Sequence, residues 1–198
     1  MATTQAVYAA DEPVVATPIA IASLPVAIAP SPAPSAEPVV DSRRVADLLV
    51  EAVIQVESAG NARKVGAAGE RGVMQIKRQT WIHVTKRLFG RSVSFDRAFN
   101  PALNRRVGRA YLAEIHAFLI GNRGHWRSDE RALLLACYNA GPDAVLKAGF
   151  NVKHLPASVR SYVERATAMH EYYLAADAAR IRQLLLAQNR VVQRPPVS

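Results

Sequence analysis

Glu57 is the residue whose sequence context best suits acid–base chemistry. It lies in the stretch VIQVESAGNARK, near the end of an apolar run that breaks at Gly60. On a helical wheel with about 100° per residue, Glu57 falls between Val50 and Val53, on the apolar side. Burial there favours the neutral carboxyl and raises its pKa, as a general acid working near neutral pH requires. The alternative is an ordinary glutamate that reaches water just past the last helical turn.

One further segment carries a side chain suited to a sugar ligand. The stretch GAAGERGVMQI runs from Gly66 to Ile76, and its glycines permit close approach of the backbone to a ligand or to another part of the fold. Gln75 offers a donor and an acceptor, which suit sugar hydroxyl and acetamido groups. A loop-to-helix junction with Met74 as a core residue explains the same segment. The stretch ACYNAGP, which ends at Pro142, is explained by a plain helix stop, with glycine at the C-terminal cap and proline after it.

Helical periodicity extends over the middle of the chain and predicts the elements that position these residues. Runs of alternating β-branched residues are absent there, so we predict one mainly α domain over residues 42–185. Residues 1–41 are rich in alanine and proline and are expected to form a disordered arm or linker, with a flexible tail at 186–198. The predicted helices run from Asp41 or Ser42 to about Ser58, from Lys77 to Phe89, from Asn100-Pro101 to Gly121, from Asp129 to Ala140, and onwards from about Ala157.

Composition narrows the range of functions that this chain could have. The chain has 198 residues and a formal net charge of +9, with its basic residues spread along the sequence. Because no basic block is interleaved with aromatic residues, we expect a solvated basic surface, compatible with an anionic cell-wall polymer, and no nucleic-acid binding. Prolines interrupt the most apolar stretch, so no transmembrane segment is predicted.

Cysteine and histidine usage gives no sign of a metal centre. Cys137 is the single cysteine, so no internal disulfide can form, and its apolar neighbours predict a buried thiol. The five histidines are scattered without zinc-ligand spacing. We therefore expect no metal site.

Several of these segments, taken in order, resemble the lytic transglycosylases of the soluble lytic type. They are Glu57-Ser58 with Asn61, then GVMQI at 72–76, and then ACYNAGP at 136–142. The stretches FNPALNRRVGRAYL and LPASVRSYVERA, at 99–112 and 155–166, also resemble family segments. The resemblance covers residues 45–174 and implies a lysozyme-like α fold. Glu70 departs from the family pattern, in which this position is often small and apolar.

The resemblance implies cleavage of the β-1,4 bond between N-acetylmuramic acid and N-acetylglucosamine in peptidoglycan. In this family one glutamate, here Glu57, acts first as acid and then as base, and the muramoyl C6 hydroxyl closes a 1,6-anhydro ring. No cofactor is implied. The resemblance also assigns substrate-binding roles to Ser58, Met74, Gln75, Tyr138, Asn139 and Tyr162.

Two other functions remain open from the sequence. A hydrolytic lysozyme would use Glu70, Asp96 or Asp129 to activate water. A non-catalytic wall-binding scaffold would hold peptidoglycan by its basic surface. For the proposed enzyme we expect a monomer acting in the periplasm or exported to the wall, although no Lys or Arg precedes Arg43 to mark a clear export signal. The arm at residues 1–41 would suit a secretion or conjugation apparatus, and phage or recycling roles fit equally well.

Overall fold

The computed structural model describes residues 42–192, with side chains described as far as residue 187. Within this range the chain is mainly helical, which confirms the predicted fold class. The predicted arm at residues 1–41 lies outside the described residues. The helices are α1 (Ser42–Ser58), α2 (Arg78–Phe89), α3 (Pro101–Gly121), α4 (Glu130–Ala140), α5 (Pro142–Lys147) and α6 (Ala157–Val192), with 3₁₀ turns at Phe95–Phe99, Arg123–His125 and Val152–His154.

The capping residues explain where several helices begin and end. The Asn100 side chain accepts a 2.9 Å hydrogen bond from the Leu103 amide, and Pro101 opens α3 at a position that needs no amide donor. Asp129 caps α4 in the same way, accepting from the Ala132 amide at 2.9 Å. Gly90 ends α2 with φ of 70°, a conformation that glycine adopts at little cost.

The helices surround one core to which α1, α3, α4 and α6 all contribute. α6 packs against both α1 and α4, and α3 packs against α2 and α4. Burying apolar side chains between them is the main source of stability, at about 25 cal/mol per Å² of apolar surface. Fully buried side chains of this core include Val53, Trp81, Ile115, Leu119, Leu133 and Leu135.

Two helical features differ from the sequence-based prediction. Gly141-Pro142 ends α4 but also begins the short helix α5, because proline is well suited to the first helical position. α6 continues to Val192, past the predicted domain boundary at residue 185. The residues of this extension are mostly Ala, Leu, Arg and Gln, which have high helix propensity, and Asp177 ties the helix to Arg44 at 2.6 Å.

A compact loop connects α1 to α2. Isolated bridges pair Arg71 with both Val65 and Ile76, and the Gly72 amide donates to the Lys64 carbonyl at 3.0 Å. Gly72 has φ of 81°, and a Cβ there would lie 2.2 Å from the Ala98 carbonyl oxygen. Only glycine therefore fits this position, which brings the loop against the 3₁₀ turn before α3.

Candidate active site

The Glu57 carboxyl lines an open cleft of about 520 Å³ at the end of α1. The pKa of this carboxyl is raised from 4.5 to about 7, mainly by burial, and the Glu70 carboxylate contributes in the same direction. The Tyr162 hydroxyl and the cations of Lys64 and Arg165 act in the opposite direction. Burial is the largest of these effects, so the group holds its proton close to neutral pH.

Tyr162 of α6 lies beside Glu57 and is only 3% exposed. Its hydroxyl is buried and has no partner of standard hydrogen-bond geometry among the described residues, yet it is close enough to the Glu57 carboxyl to lower its pKa. Burial, aided by the negative charge of Glu57, raises the pKa of Tyr162 well above its ordinary value. The hydroxyl therefore stays protonated and is available as a donor to Glu57.

Two charged residues of the loop between α1 and α2 line the cleft together with Glu57. The Lys64 ammonium donates a hydrogen bond to the Glu57 backbone carbonyl. The Glu70 carboxylate accepts from the Ala68 amide at 3.0 Å and also lines the cleft. Sequence reasoning singled out Glu70 but missed Lys64, whose only signal was a basic residue shortly after the end of the helix.

Gln75 is held in a defined orientation at the cleft. Its amide nitrogen donates to the carbonyls of Gly72, at 2.9 Å, and Lys64, at 3.1 Å. Its backbone has φ of 46°, an uncommon conformation for a residue with a side chain. A Cβ on Gly66 would lie 2.4 Å from Glu70 Oε2 and 2.9 Å from Gln75 Oε1, so Gly66 leaves room for both side chains.

The opposite wall of the cleft comes from α4 and α3. Tyr138 and Asn139, both half-buried, line it together with Tyr111. The Tyr138 hydroxyl donates a 2.7 Å hydrogen bond to the Met74 carbonyl, and its ring lies 5.7 Å from that of Tyr111, centroid to centroid. This hydrogen bond joins α4 to the loop that carries Gln75, and thereby fixes the two walls relative to each other.

Ser58 and Met74 do not line the cleft, although the resemblance assigned substrate contacts to them. The Ser58 hydroxyl is buried and donates to the Val73 carbonyl at 2.7 Å. The Met74 side chain is fully buried, and a Cβ on Gly108 would lie 2.2 Å from its sulfur. Both residues support the loop from beneath. Of the seven residues proposed for the site, four line the cleft, and they are Glu57, Gln75, Tyr138 and Asn139.

Asn104 of α3 is a positioning residue that sequence reasoning missed. It is fully buried, accepts from the Met74 amide at 2.9 Å, and donates to the carbonyls of Arg71 and Ala98, each at 2.9 Å. One side chain thus satisfies two backbone groups of the loop between α1 and α2 and one of the 3₁₀ turn before α3. The available signal was an asparagine on the apolar stripe of α3, three residues before Val107.

The other carboxylates considered for a second catalytic role lie elsewhere. Asp96 is 84% exposed and pairs with Arg71 at 2.7 Å, and Asp129 caps α4. Glu70 is therefore the one of the three that shares the cleft with Glu57.

Neither a metal centre nor a reactive thiol is found in the described part of the chain. Residues 42–192 contain no group of three or more His, Cys, Asp or Glu side chains that could hold a metal ion. Cys137 is buried, as predicted, and burial raises the pKa of its thiol to about 12. Over the same range no helix has the length and hydropathy to span a membrane.

A helical domain with a partly buried glutamate at an open polar cleft matches the lysozyme-like fold that the sequence predicts. Comparison of the sequence with protein families matches residues 40–160 to the family described as Transglycosylase SLT domain. The chain belongs to this family, which confirms the predicted resemblance.

Two solved structures are similar to this chain. The 70 kDa soluble lytic transglycosylase of Escherichia coli is 26% identical with a TM-score of 0.54, over 64% of this chain and 21% of that one. An inactive Glu-to-Gln variant of the lytic transglycosylase Slt from Pseudomonas aeruginosa is also 26% identical with a TM-score of 0.54, over 66% of this chain and 22% of that one. The match therefore spans about a fifth of each of these two proteins.

Proposed function

We propose that this protein is a peptidoglycan lytic transglycosylase that cleaves the β-1,4 bond between N-acetylmuramic acid and N-acetylglucosamine. The observation that carries the proposal is Glu57, a carboxyl with a pKa raised to about 7 that faces an open cleft lined by polar groups. Membership of the Transglycosylase SLT domain family supports the proposal, as does the similarity to two lytic transglycosylases. That one of these was inactivated by a Glu-to-Gln change supports a catalytic role for a glutamate.

In the first step Glu57 donates its proton to the glycosidic oxygen. The bond from this oxygen to C1 of the muramoyl residue breaks, and the N-acetylglucosamine portion leaves with the new hydroxyl. The acetamido group of the muramoyl residue stabilises the cationic C1. A carboxyl that is still protonated near neutral pH is suited to this role, because general acids work best when their pKa lies near the working pH.

In the second step the Glu57 carboxylate takes the proton from the muramoyl C6 hydroxyl. The C6 oxygen attacks C1 and closes the 1,6-anhydro ring, which returns Glu57 to its protonated form. The nucleophile belongs to the substrate itself, so the site has no water to position. The Tyr162 hydroxyl beside Glu57 would stabilise the carboxylate between the two steps. The Gln75 amide nitrogen is already bonded to two backbone carbonyls, so Gln75 would offer its Oε1 to a sugar hydroxyl.

The experiment that tests this proposal is product analysis on purified sacculi by mass spectrometry. The wild-type chain is expected to release muropeptides that end in 1,6-anhydro-N-acetylmuramic acid. The Glu57→Gln variant should lose clearing in a zymogram while still binding sacculi. Clearing that is unchanged in Glu57→Gln would refute the catalytic role and favour a non-catalytic wall-binding scaffold.

Glu70 supports one second candidate, hydrolysis by a lysozyme-like mechanism. Its carboxylate shares the cleft with Glu57 and raises the pKa of Glu57, so a second base is available to activate water. Hydrolysis would yield reducing muramoyl ends, and Glu70→Gln would abolish them. Anhydro products from both the wild type and Glu70→Gln would exclude hydrolysis as the main reaction.

The proposed substrate also defines where the protein would act. Peptidoglycan lies outside the cytoplasmic membrane, so we propose that the enzyme acts in the periplasm or otherwise at the cell wall. We propose that it acts there as a monomer. Local opening of the wall for a secretion or conjugation apparatus remains our proposal for its biological role. Fractionation of the producing cells, with immunodetection of the chain, tests the location.

A further inference from the structure

Three arginines and two phenylalanines form a continuous stack beside the cleft, which we call the arginine ridge. The Arg71 guanidinium lies 4.6 Å from the ring centroid of Phe95 and 5.0 Å from that of Phe99. Arg63 stacks on Phe99 at 5.8 Å, and Arg78 stacks on Phe95 at 4.8 Å. The rings hold the guanidinium groups by cation–π attraction and so restrict their movement.

Within the described part of the chain, two of these three cations have no carboxylate as an ion-pair partner. Arg71 pairs with Asp96 at 2.7 Å, and is partly buried. Arg63 and Arg78 are exposed, and neither forms an ion pair with any carboxylate of residues 42–192. Stacking covers the flat face of a guanidinium but leaves its N–H edges available to an external acceptor.

The arginine ridge is continuous with the wall of the cleft. Arg63 and Arg78 directly adjoin Lys64 and Lys77, which both line the cleft. Arg71 exchanges two 3.1 Å backbone hydrogen bonds with Ile76, which also lines it. A polymer that occupies the cleft would therefore pass close to these positive charges.

We propose that the arginine ridge binds the carboxylates of the peptide stems that peptidoglycan carries on its muramoyl residues. This inference rests on the proposed function, because it takes a glycan strand in the cleft as given. Each stem begins at the lactyl group of a muramoyl residue and bears several carboxylates, and it must leave the cleft sideways. A planar guanidinium offers two parallel N–H donors that match a carboxylate, which suits Arg63 and Arg78 better than a simple point charge. The arginine ridge thus selects strands that still carry stems over bare glycan.

The test measures binding by chains that all carry Glu57→Gln, so that turnover plays no part. One chain adds Arg63→Gln and Arg78→Gln. The matched control adds Arg106→Gln and Arg123→Gln, two exposed arginines that stack on Phe89 and Trp126 and do not line the cleft. Both chains lose two positive charges and two cation–π contacts. Each is titrated with sheared sacculi that carry stems and with the same strands after an amidase has removed them.

We expect the arginine-ridge variant to bind stem-bearing strands about fivefold more weakly, since each exposed ion pair contributes modestly. Its binding to stripped strands should be unchanged, and the control should match the parent on both substrates. A free stem peptide should compete for the parent, whereas the peptide with amidated carboxylates should not. The proposal would be overturned by equal losses of affinity on both substrates, by equal losses of affinity in both double variants, or by no loss of affinity at all. Failure of the proposed function would appear separately, as wild-type chain that yields no anhydro products.

Discussion

The Lys64 ammonium donates a hydrogen bond to the backbone carbonyl of Glu57, at the last turn of α1. Carbonyls at the end of a helix lack an intrahelical partner and carry partial negative charge, so a cation there stabilises the helix terminus. The same ammonium lies near the Glu57 carboxyl and lowers its pKa. One loop residue therefore fixes the end of the helix that carries Glu57 and opposes the effect of burial on its acidity.

Replacing Lys64 with methionine should shift the pH dependence of cleavage towards alkaline pH. Without the cation the Glu57 carboxylate loses stabilisation, so the pKa of Glu57 rises. Because the first step needs the protonated form, the alkaline limb of kcat/KM should move up by the same amount. Lys86→Met, an exposed lysine at the end of α2, serves as the control and should leave the limb in place.

Replacing Glu70 with glutamine should move the alkaline limb in the opposite direction. The Glu70 carboxylate raises the pKa of Glu57 by charge repulsion, and a neutral amide removes this effect. The pH profile of kcat/KM for anhydro product should therefore shift to lower pH. Asp143→Asn, on the exposed surface of α5, is the control. An unshifted profile would mean that Glu70 does not influence the acid.

The Glu57→Gln variant should gain stability over the wild type as the pH rises. The folded-state pKa of Glu57 is raised, so its contribution to stability is complete below pH 4.5 and is lost as the pH passes through about 7. A neutral glutamine has no such loss. With allowance for the partial exposure of the site, we expect a relative gain of roughly 1 kcal/mol, or about 2–4 °C in Tm, between pH 4 and pH 8. Thermal unfolding at both pH values measures it, and a constant difference would contradict it.

The Asn104→Ala variant should be strongly destabilised. It leaves the Met74 amide and the carbonyls of Arg71 and Ala98 without their partner, and buried unsatisfied groups cost about 1–3 kcal/mol each. We expect a loss of about 3 kcal/mol in the free energy of unfolding, measured by urea denaturation. Asn122→Ala, which removes a single hydrogen bond to the Phe118 carbonyl at the end of α3, should cost about 1 kcal/mol or less.

Alanine at Gly108 should destabilise the protein, whereas alanine at Gly121 on the same helix should not. A Cβ at Gly108 would lie 2.2 Å from the Met74 sulfur, and overpacking of a core costs about 1–3 kcal/mol. A Cβ at Gly121 meets no atom within 4 Å, so the higher helix propensity of alanine leaves its effect neutral or favourable. Urea denaturation of the two variants compares them directly, and equal stabilities would contradict the tight packing of Met74.

Local sequence signals predicted the helices and the placement of Glu57. The cap at Asn100-Pro101 and the stop at Gly90 depend on neighbouring residues alone, so their positions could be predicted from the sequence. The burial of Glu57 was predicted from its position on the apolar side of α1. That position depends only on residues one or two helical turns away. These are the distances over which helical periodicity operates.

The side-chain orientations around Glu57 could not be predicted in the same way. Ser58 hydrogen-bonds the Val73 carbonyl, 15 residues along the chain, and Asn104 contacts the Met74 amide across 30 residues. Such partners depend on how the loop packs against α1 and α3. Sequence similarity therefore suggested substrate contacts for Ser58 and Met74, whereas both are buried beneath the loop.

The packing of α1 against α6 brings the beginning of the helical domain into contact with its end, and Tyr162 reaches Glu57 across that contact. During translation Glu57 leaves the ribosome about a hundred residues before Tyr162 does, since the two are 105 positions apart. Until then the glutamate lacks the surroundings that withhold its proton from water, and it remains an ordinary weak acid. A chain that ends before α6 would therefore lack the contact between Tyr162 and Glu57, and the acid of the proposed enzyme would be incomplete.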